Sequence, residues 1–182
     1  MKTGQFSFLI IIFILCFTMV PNTSEAYGKS HEEKQLEEFK KGNDYIPAEK
    51  AIVEFEQKYG TKVNLPRKLP FEPTHRFGNI DEEGRLKLHF MIPGKIDKSP
   101  TFDFVFYVMP EKDLDTFINA SDKAYTLKSG EKAYYRQHHK HFHSLTFTAN
   151  KLGYHFGSNP DKIDLDSFIE IAESIDERFE VK

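Results

Sequence analysis

Large apolar side chains recur at every second position between residues 85 and 109, and that period decides what the chain can build. Leu86, Leu88, Phe90 and Ile92 alternate with Lys87, His89 and Met91; Phe102, Phe104, Phe106 and Val108 alternate with Asp103, Val105, Tyr107 and Met109. Successive side chains of a strand point to opposite faces, so a period of two predicts two half-buried strands over 85–92 and 101–109. Gly84 sets the turn before the first. Pro93-Gly94 and Ser99-Pro100 mark the loop between them. His89 falls opposite Leu88 and Phe90, which predicts an exposed strand histidine.

Four shorter strand signals follow. Ala124–Lys128 and Lys132–Arg136 flank Ser129-Gly130-Glu131, a hairpin spelling, and Ser144–Ala149 and Leu152–Phe156 flank Asn150-Lys151. Residues 111–121 read as a short helix or turn, with Leu114, Phe117 and Ile118 at helical spacing. The period is helical at both ends of the series. Over 47–59, Ala48, Ile52, Phe55 and Tyr59 form one stripe behind Pro47, with Gly60 placed to end the helix. Near the C-terminus Leu165, Phe168, Ala172, Ile175 and Phe179 form another stripe, capped by Asp164 or Asp166, and Ser167–Glu170 spells a capping box. Pro66, Pro70 and Pro73 make 63–73 an extended connection. Strands in series between two helices predict an α+β fold: a single domain over 46–182, a curved antiparallel sheet packed with an N-terminal and a C-terminal helix. Residues 27–45 are polar and mixed in charge and read as a solvated leader.

The first 26 residues have the pattern of a secretory signal. Lys2 is followed by an apolar run from Phe6 to Val20, then by Ser24-Glu25-Ala26, whose small first and third residues suit cleavage before Tyr27. The run is shorter than the roughly 20 residues that span a bilayer; a membrane association is expected only if the signal stays uncleaved. Cys16 lies inside the run without a lipoprotein spelling. Removing 26 of 182 residues leaves 156 with an unchanged net charge of −3 and no cysteine, because Cys16 is the chain's single Cys. Such a product has no disulfide, thiol nucleophile or thiolate metal site, and it must be held by an apolar core. Its slight acidity argues against a nucleic-acid partner.

The concentrated polar feature is His138-His139-Lys140-His141-Phe142-His143. If extended, it projects His139, His141 and His143 to one face, a donor set that zinc or copper(II) favours, with His138 as a further ligand. The stretch also lies where a hairpin loop is expected, and loop tips tolerate polar residues without purpose. Asp161, Asp164, Asp166 and Glu170 fail the calcium-loop spacing, since Asp164 stands where the turn needs Gly. The chain has no Gly-Xaa-Ser-Xaa-Gly elbow, His-Glu-Xaa-Xaa-His pair or glycine-rich phosphate loop.

Several blocks together resemble an uncharacterised domain family of Gram-positive, Bacillus-type extracytoplasmic proteins and lipoproteins. They are Ala48–Ile52, Val63–Pro66 with Leu69–Pro73, Leu86–Phe90, Gly130–Tyr135, Ser144–Phe147 and Phe168–Ile175. The resemblance covers about residues 46–176 and implies an envelope location and a curved-sheet shape; it brings no reaction and no catalytic residue. The expectation is therefore a secreted or cell-envelope protein that binds an envelope ligand or protein without catalysis, with a ligand held on a face lined by Phe102, Phe104 and Phe106. The alternatives are an extracytoplasmic metal-binding protein using His138–His143 and a hydrolase with an unrecognised carboxylate or His–Asp pair.

Overall fold

The computed structural model describes residues 30–93 and 102–176; the expected secretory signal over 1–26, loop residues 94–101 and Phe179 lie outside them. Helix α1 (His31–Gly42) begins on a complete capping box: the Glu33 amide donates to Ser30 Oγ at 3.2 Å, and the Ser30 amide donates to Glu33 Oε2 at 2.7 Å. A two-residue strand β1 (Ile46–Pro47) leads into α2 (Ala48–Tyr59). Pro47 thus stands just ahead of the helix, and Gly60 closes it in the left-handed region at φ 64°, donating to the Glu56 carbonyl. After the proline-rich connection come β2 (His75–Ile80), β3 (Leu86–Ile92) and β4 (Phe102–Pro110). A 3-10 helix (Glu111–Phe117) precedes β5 (Lys123–Thr126), β6 (Lys132–His139), β7 (Phe142–Ala149), β8 (Leu152–Ser158) and α3 (Leu165–Asp176).

The eight strands form one sheet in the order β1-β2-β3-β4-β8-β7-β6-β5, with every neighbouring pair antiparallel. The fold is mixed α+β. Two meanders, β2–β4 and β5–β8, meet where β4 lies beside β8, and β1 adds to β2 from across α2. The 3-10 helix carries the chain across the sheet between them. Asn150 and Lys151 turn β7 into β8 with φ of 53° and 65°, the left-handed pair of a tight two-residue hairpin.

Alternation sorts the side chains onto two faces. The inner face receives Leu86, Leu88, Phe90, Phe104, Phe106, Val108, Leu145, Phe147, Tyr154 and Phe156. They pack with Ala48, Ala51 and Phe55 of α2 and Phe168, Ala172 and Ile175 of α3. Phe104, Phe106, Phe147, Phe156 and Phe168 lose all exposure, each contributing roughly 2–3 kcal/mol of apolar burial. α2 comes so close that a Cβ built on Gly78 would stand 2.9 Å from Ala51 Cβ and 2.9 Å from Leu88 Cδ2. This filled core corrects the expected ligand cavity along Phe104 and Phe106. Phe102, at the sheet's end, is half-buried against Phe71.

The outer face corrects two further expectations. Residues 31–42 form a helix whose Leu36 and Phe39 pack on Tyr45, Phe77 and Met91. His89 lies on the face opposite Leu88, as its period requires, yet it is buried because this helix covers it. At the C-terminal end Asp164 is the cap, accepting from the Ser167 amide at 2.9 Å; Ser167 lies inside α3, so the Ser167–Glu170 spelling is not a capping box here.

Candidate functional site

The six-residue histidine stretch is mostly strand. β6 runs through His138 and His139, β7 starts at Phe142, and only Lys140 and His141 form the turn. A register shift between Gln137 and His139 breaks the strict alternation, so the imidazoles take different sides. His143 points inward. Its ring stacks on Phe168 with centroids 4.2 Å apart, and Nδ1 lies 3.0 Å from the Tyr135 hydroxyl. His138 belongs to the outer face, where Nε2 lies 2.8 Å from Ser144 Oγ. His139 Nδ1 accepts from the His141 amide at 3.2 Å, and both residues are exposed at the tip. The extended three-imidazole face expected of His139, His141 and His143 does not form. Among the described residues no group of three or more His, Cys, Asp or Glu side chains is gathered to hold a metal ion.

Below the tip the outer face carries a polar seam that the histidine spelling does not reveal. Arg136 grips Asp122 with two hydrogen bonds of 2.7 Å, from Nε and Nη2, and Nη2 also donates to the Phe117 carbonyl at 2.9 Å. With its amide oxygen turned to the guanidinium, Asn119 accepts from Nη2 and Nη1 at 2.9 and 3.0 Å. These bonds hold the Asp122 carboxyl below the usual carboxylate range and tie β6 to the segment after the 3-10 helix. One row over, His155 Nδ1 lies 2.8 Å from Thr146 Oγ1, under the Phe117 ring. Burial is the largest cause pushing the His155 imidazole down to about 3; the nearby Arg136 and Arg85 charges act in the same direction. His138 and His143 are also lowered, chiefly by burial. The seam is thus built of one ion pair and of imidazoles, His138 and His155, whose burial disfavours the charged form.

A third constellation lies beneath α1. His89 Nε2 donates to the Asp103 carboxylate, so in the neutral ring Nδ1 accepts from the Tyr45 hydroxyl, 3.1 Å away. The geometry is that of a proton relay. Tyr45 is a poor acid in it, because burial raises its hydroxyl well above the ordinary tyrosine value, with the Tyr107 and Asp103 charges adding to the rise. The arrangement instead clamps the β1 segment and α1 to β3 and β4, with Asp103 half-exposed at its outer end.

These contacts define what each group can do. The Ser144–His138 pair has the distance of a nucleophile and its base, but Ser144 retains only 2% exposure beneath the ring and Phe142. Arg136 spends its donors on Asp122, Phe117 and Asn119. What the site presents to solvent is the hairpin tip, Gln137 to His141, every residue of it exposed. Of the residues that organise it, Asp122, Arg136, Ser144, Thr146 and His155 carry one legible signal: all but Asp122 fall on predicted strands at the parity opposite the apolar face. No family model, curated protein or solved structure matches the chain.

Proposed function

We propose that the chain is an exported, non-enzymatic binding module of the cell envelope that meets its ligand or partner protein through the tip of the β6–β7 hairpin. The carrying observation is the contrast between tip and base. Gln137 to His141 are exposed and polar, while the base is locked by His143 stacked on Phe168, by Tyr135 and by the His138–Ser144 contact. A recognition segment held on a rigid scaffold loses little entropy on binding. The leading apolar run, the Ser24-Glu25-Ala26 spelling and the resemblance to Bacillus-type extracytoplasmic proteins support export. We read 46–182 as one domain whose sheet curls around α2 and α3; a continuous apolar cluster from Ala48 to Ile175 supports this.

A second reading keeps the tip and changes the ligand. His139 and His141 are adjacent and exposed, and the bond at His139 Nδ1 leaves Nε2 as its ligating nitrogen, an arrangement that suits weak zinc or copper binding.

The test begins with the protein made behind its own leader in a Gram-positive host. A mature N-terminus at Tyr27 in the wall or medium fraction is expected; intact protein confined to the cytosol refutes export. Purified cell-wall sacculi are then used as bait for co-sedimentation. A His139→Ser, Lys140→Ser, His141→Ser variant is expected to lose binding while melting at the wild-type temperature. Equal sedimentation of both proteins refutes the role of the tip. Stoichiometric zinc or copper after dialysis, lost in the same variant, selects the second reading.

A further inference from the structure

The two edges of the sheet are unlike. β1 is two residues long, and one of them is Pro47, which has no N–H to offer. β5 has neither proline nor bulge, and among the described residues its only strand partner is β6. The phase of its free side follows from the hairpin. The Leu127 amide donates to the Glu131 carbonyl, so Leu127, Tyr125 and Lys123 turn their backbone groups toward β6. Ala124 and Thr126 turn theirs outward, and both residues are exposed.

We infer that this edge is a self-association surface: β5 of a second copy pairs with it antiparallel about a two-fold axis at Tyr125, joining two sheets into one. The phase selects that register. With Tyr125 opposite the partner's Tyr125, Ala124 faces the partner's Thr126 and Thr126 the partner's Ala124. Both outward residues on each strand then exchange hydrogen bonds in narrow pairs, and none is wasted. Shifting the axis to Ala124 or Thr126 leaves an outward residue facing beyond the end of the strand. The side chains agree with this register. The two Tyr125 residues sit in the close, non-hydrogen-bonded position, and each already makes an edge-on contact with its own Tyr135 at 6.4 Å. Lys123 comes opposite the partner's Leu127 and stays four residues, about 13 Å, from the partner's Lys123. A four-residue strand makes a small interface, at the weak end of specific association.

The experiment uses the protein as its host delivers it, with Cys16→Ser so that no other thiol is present. Sedimentation equilibrium is expected to show the mass rising from one chain to two over roughly 1–500 µM, the range for a small interface. Ala124→Pro removes an outward N–H at a position where an edge strand accepts proline, and is expected to give a monomer with an unchanged circular dichroism spectrum. Tyr125→Cys places two thiols across the axis at a Cα separation of about 4.5 Å, within disulfide range, and is expected to cross-link under mild oxidation. Thiols introduced at Ala124 are offset by two residues, at more than about 7 Å, and are expected not to cross-link. If Ala124→Pro does not fold, the cross-linking pair decides alone. A monomer throughout the concentration range overturns the inference. So does a dimer indifferent to Ala124→Pro that does not cross-link through position 125. A monomer whose Ala124 and Thr126 amides resist hydrogen exchange also overturns it, and assigns the edge to another segment of this same chain.

Discussion

His155 makes stability depend on pH in a direction that can be worked out beforehand. Its imidazole is 9% exposed, sits beneath Phe117 against Thr146 Oγ1, and is pushed down to about 3. In the unfolded chain it returns to about 6.5. A depressed folded value means that the unfolded state takes up the proton first. The stabilisation is therefore complete above pH 6.5 and is lost as pH falls from there toward 3, at about 1.4 kcal/mol per pH unit. Between pH 7 and pH 5 the loss assigned to this residue is about 2 kcal/mol. His138 and His143 are lowered by burial as well and steepen the total in the same sense. The clean measurement is thus a difference. Urea unfolding is followed by circular dichroism, since the chain has no Trp, for wild type and His155→Gln at both pH values. The variant is expected to be less stable at pH 7 but to lose about 2 kcal/mol less on acidification. Parallel losses in the two proteins would refute the assignment of a buried neutral imidazole at this position.

Three other perturbations probe the elements around the site. Arg136→Ala leaves the Asp122 carboxylate, whose side chain is 2% exposed, without its guanidinium, and is expected to cost about 3 kcal/mol in urea unfolding, against much less for the double variant Arg136→Ala, Asp122→Ala. Phe39→Ala removes the main apolar anchor of α1; a loss of about 1–2 kcal/mol is expected, with faster hydrogen exchange in β3 near His89 than in β8. Gly78→Ala drives a methyl group into Ala51 and Leu88 and is expected to lower stability by about 1–3 kcal/mol; an unchanged melting temperature would show that α2 does not pack as closely as described.

The period of two located the inner face because there it is written in Leu and Phe, residues whose burial needs no other information. It carried less on the outer face. Alternation gives His89 its side of β3 but not its buried environment, since it says where a side chain points and not what lies on top of it. The covering helix is hidden for the same reason: two apolar residues, Leu36 and Phe39, carry the docking of an otherwise polar segment. The histidine stretch shows a second limit. Its projection to one face assumed an unbroken strand, whereas a two-residue turn and a register shift divide it, and neither has a glycine or proline to announce it. Asp122 and Arg136 lie fourteen residues apart, and only the pairing of β5 with β6 brings them together.

The junction of the two meanders bears on how the chain reaches this state. Within β2–β4 and within β5–β8 each strand pairs with its neighbour in sequence across a turn or loop, so both series can zip with small loop-closure cost, and β1 joins β2 across α2 and the proline-rich connection. β4 and β8 make the most distant pairing in sequence, aligning Val105 with Gly157 and Val108 with Tyr154. That most distant alignment is expected to limit the folding rate. Truncations such as Phe106→Leu or Phe156→Leu at this seam are expected to slow refolding, whereas equally destabilising changes in the β1–β2 pair are expected to act mainly on the unfolding rate.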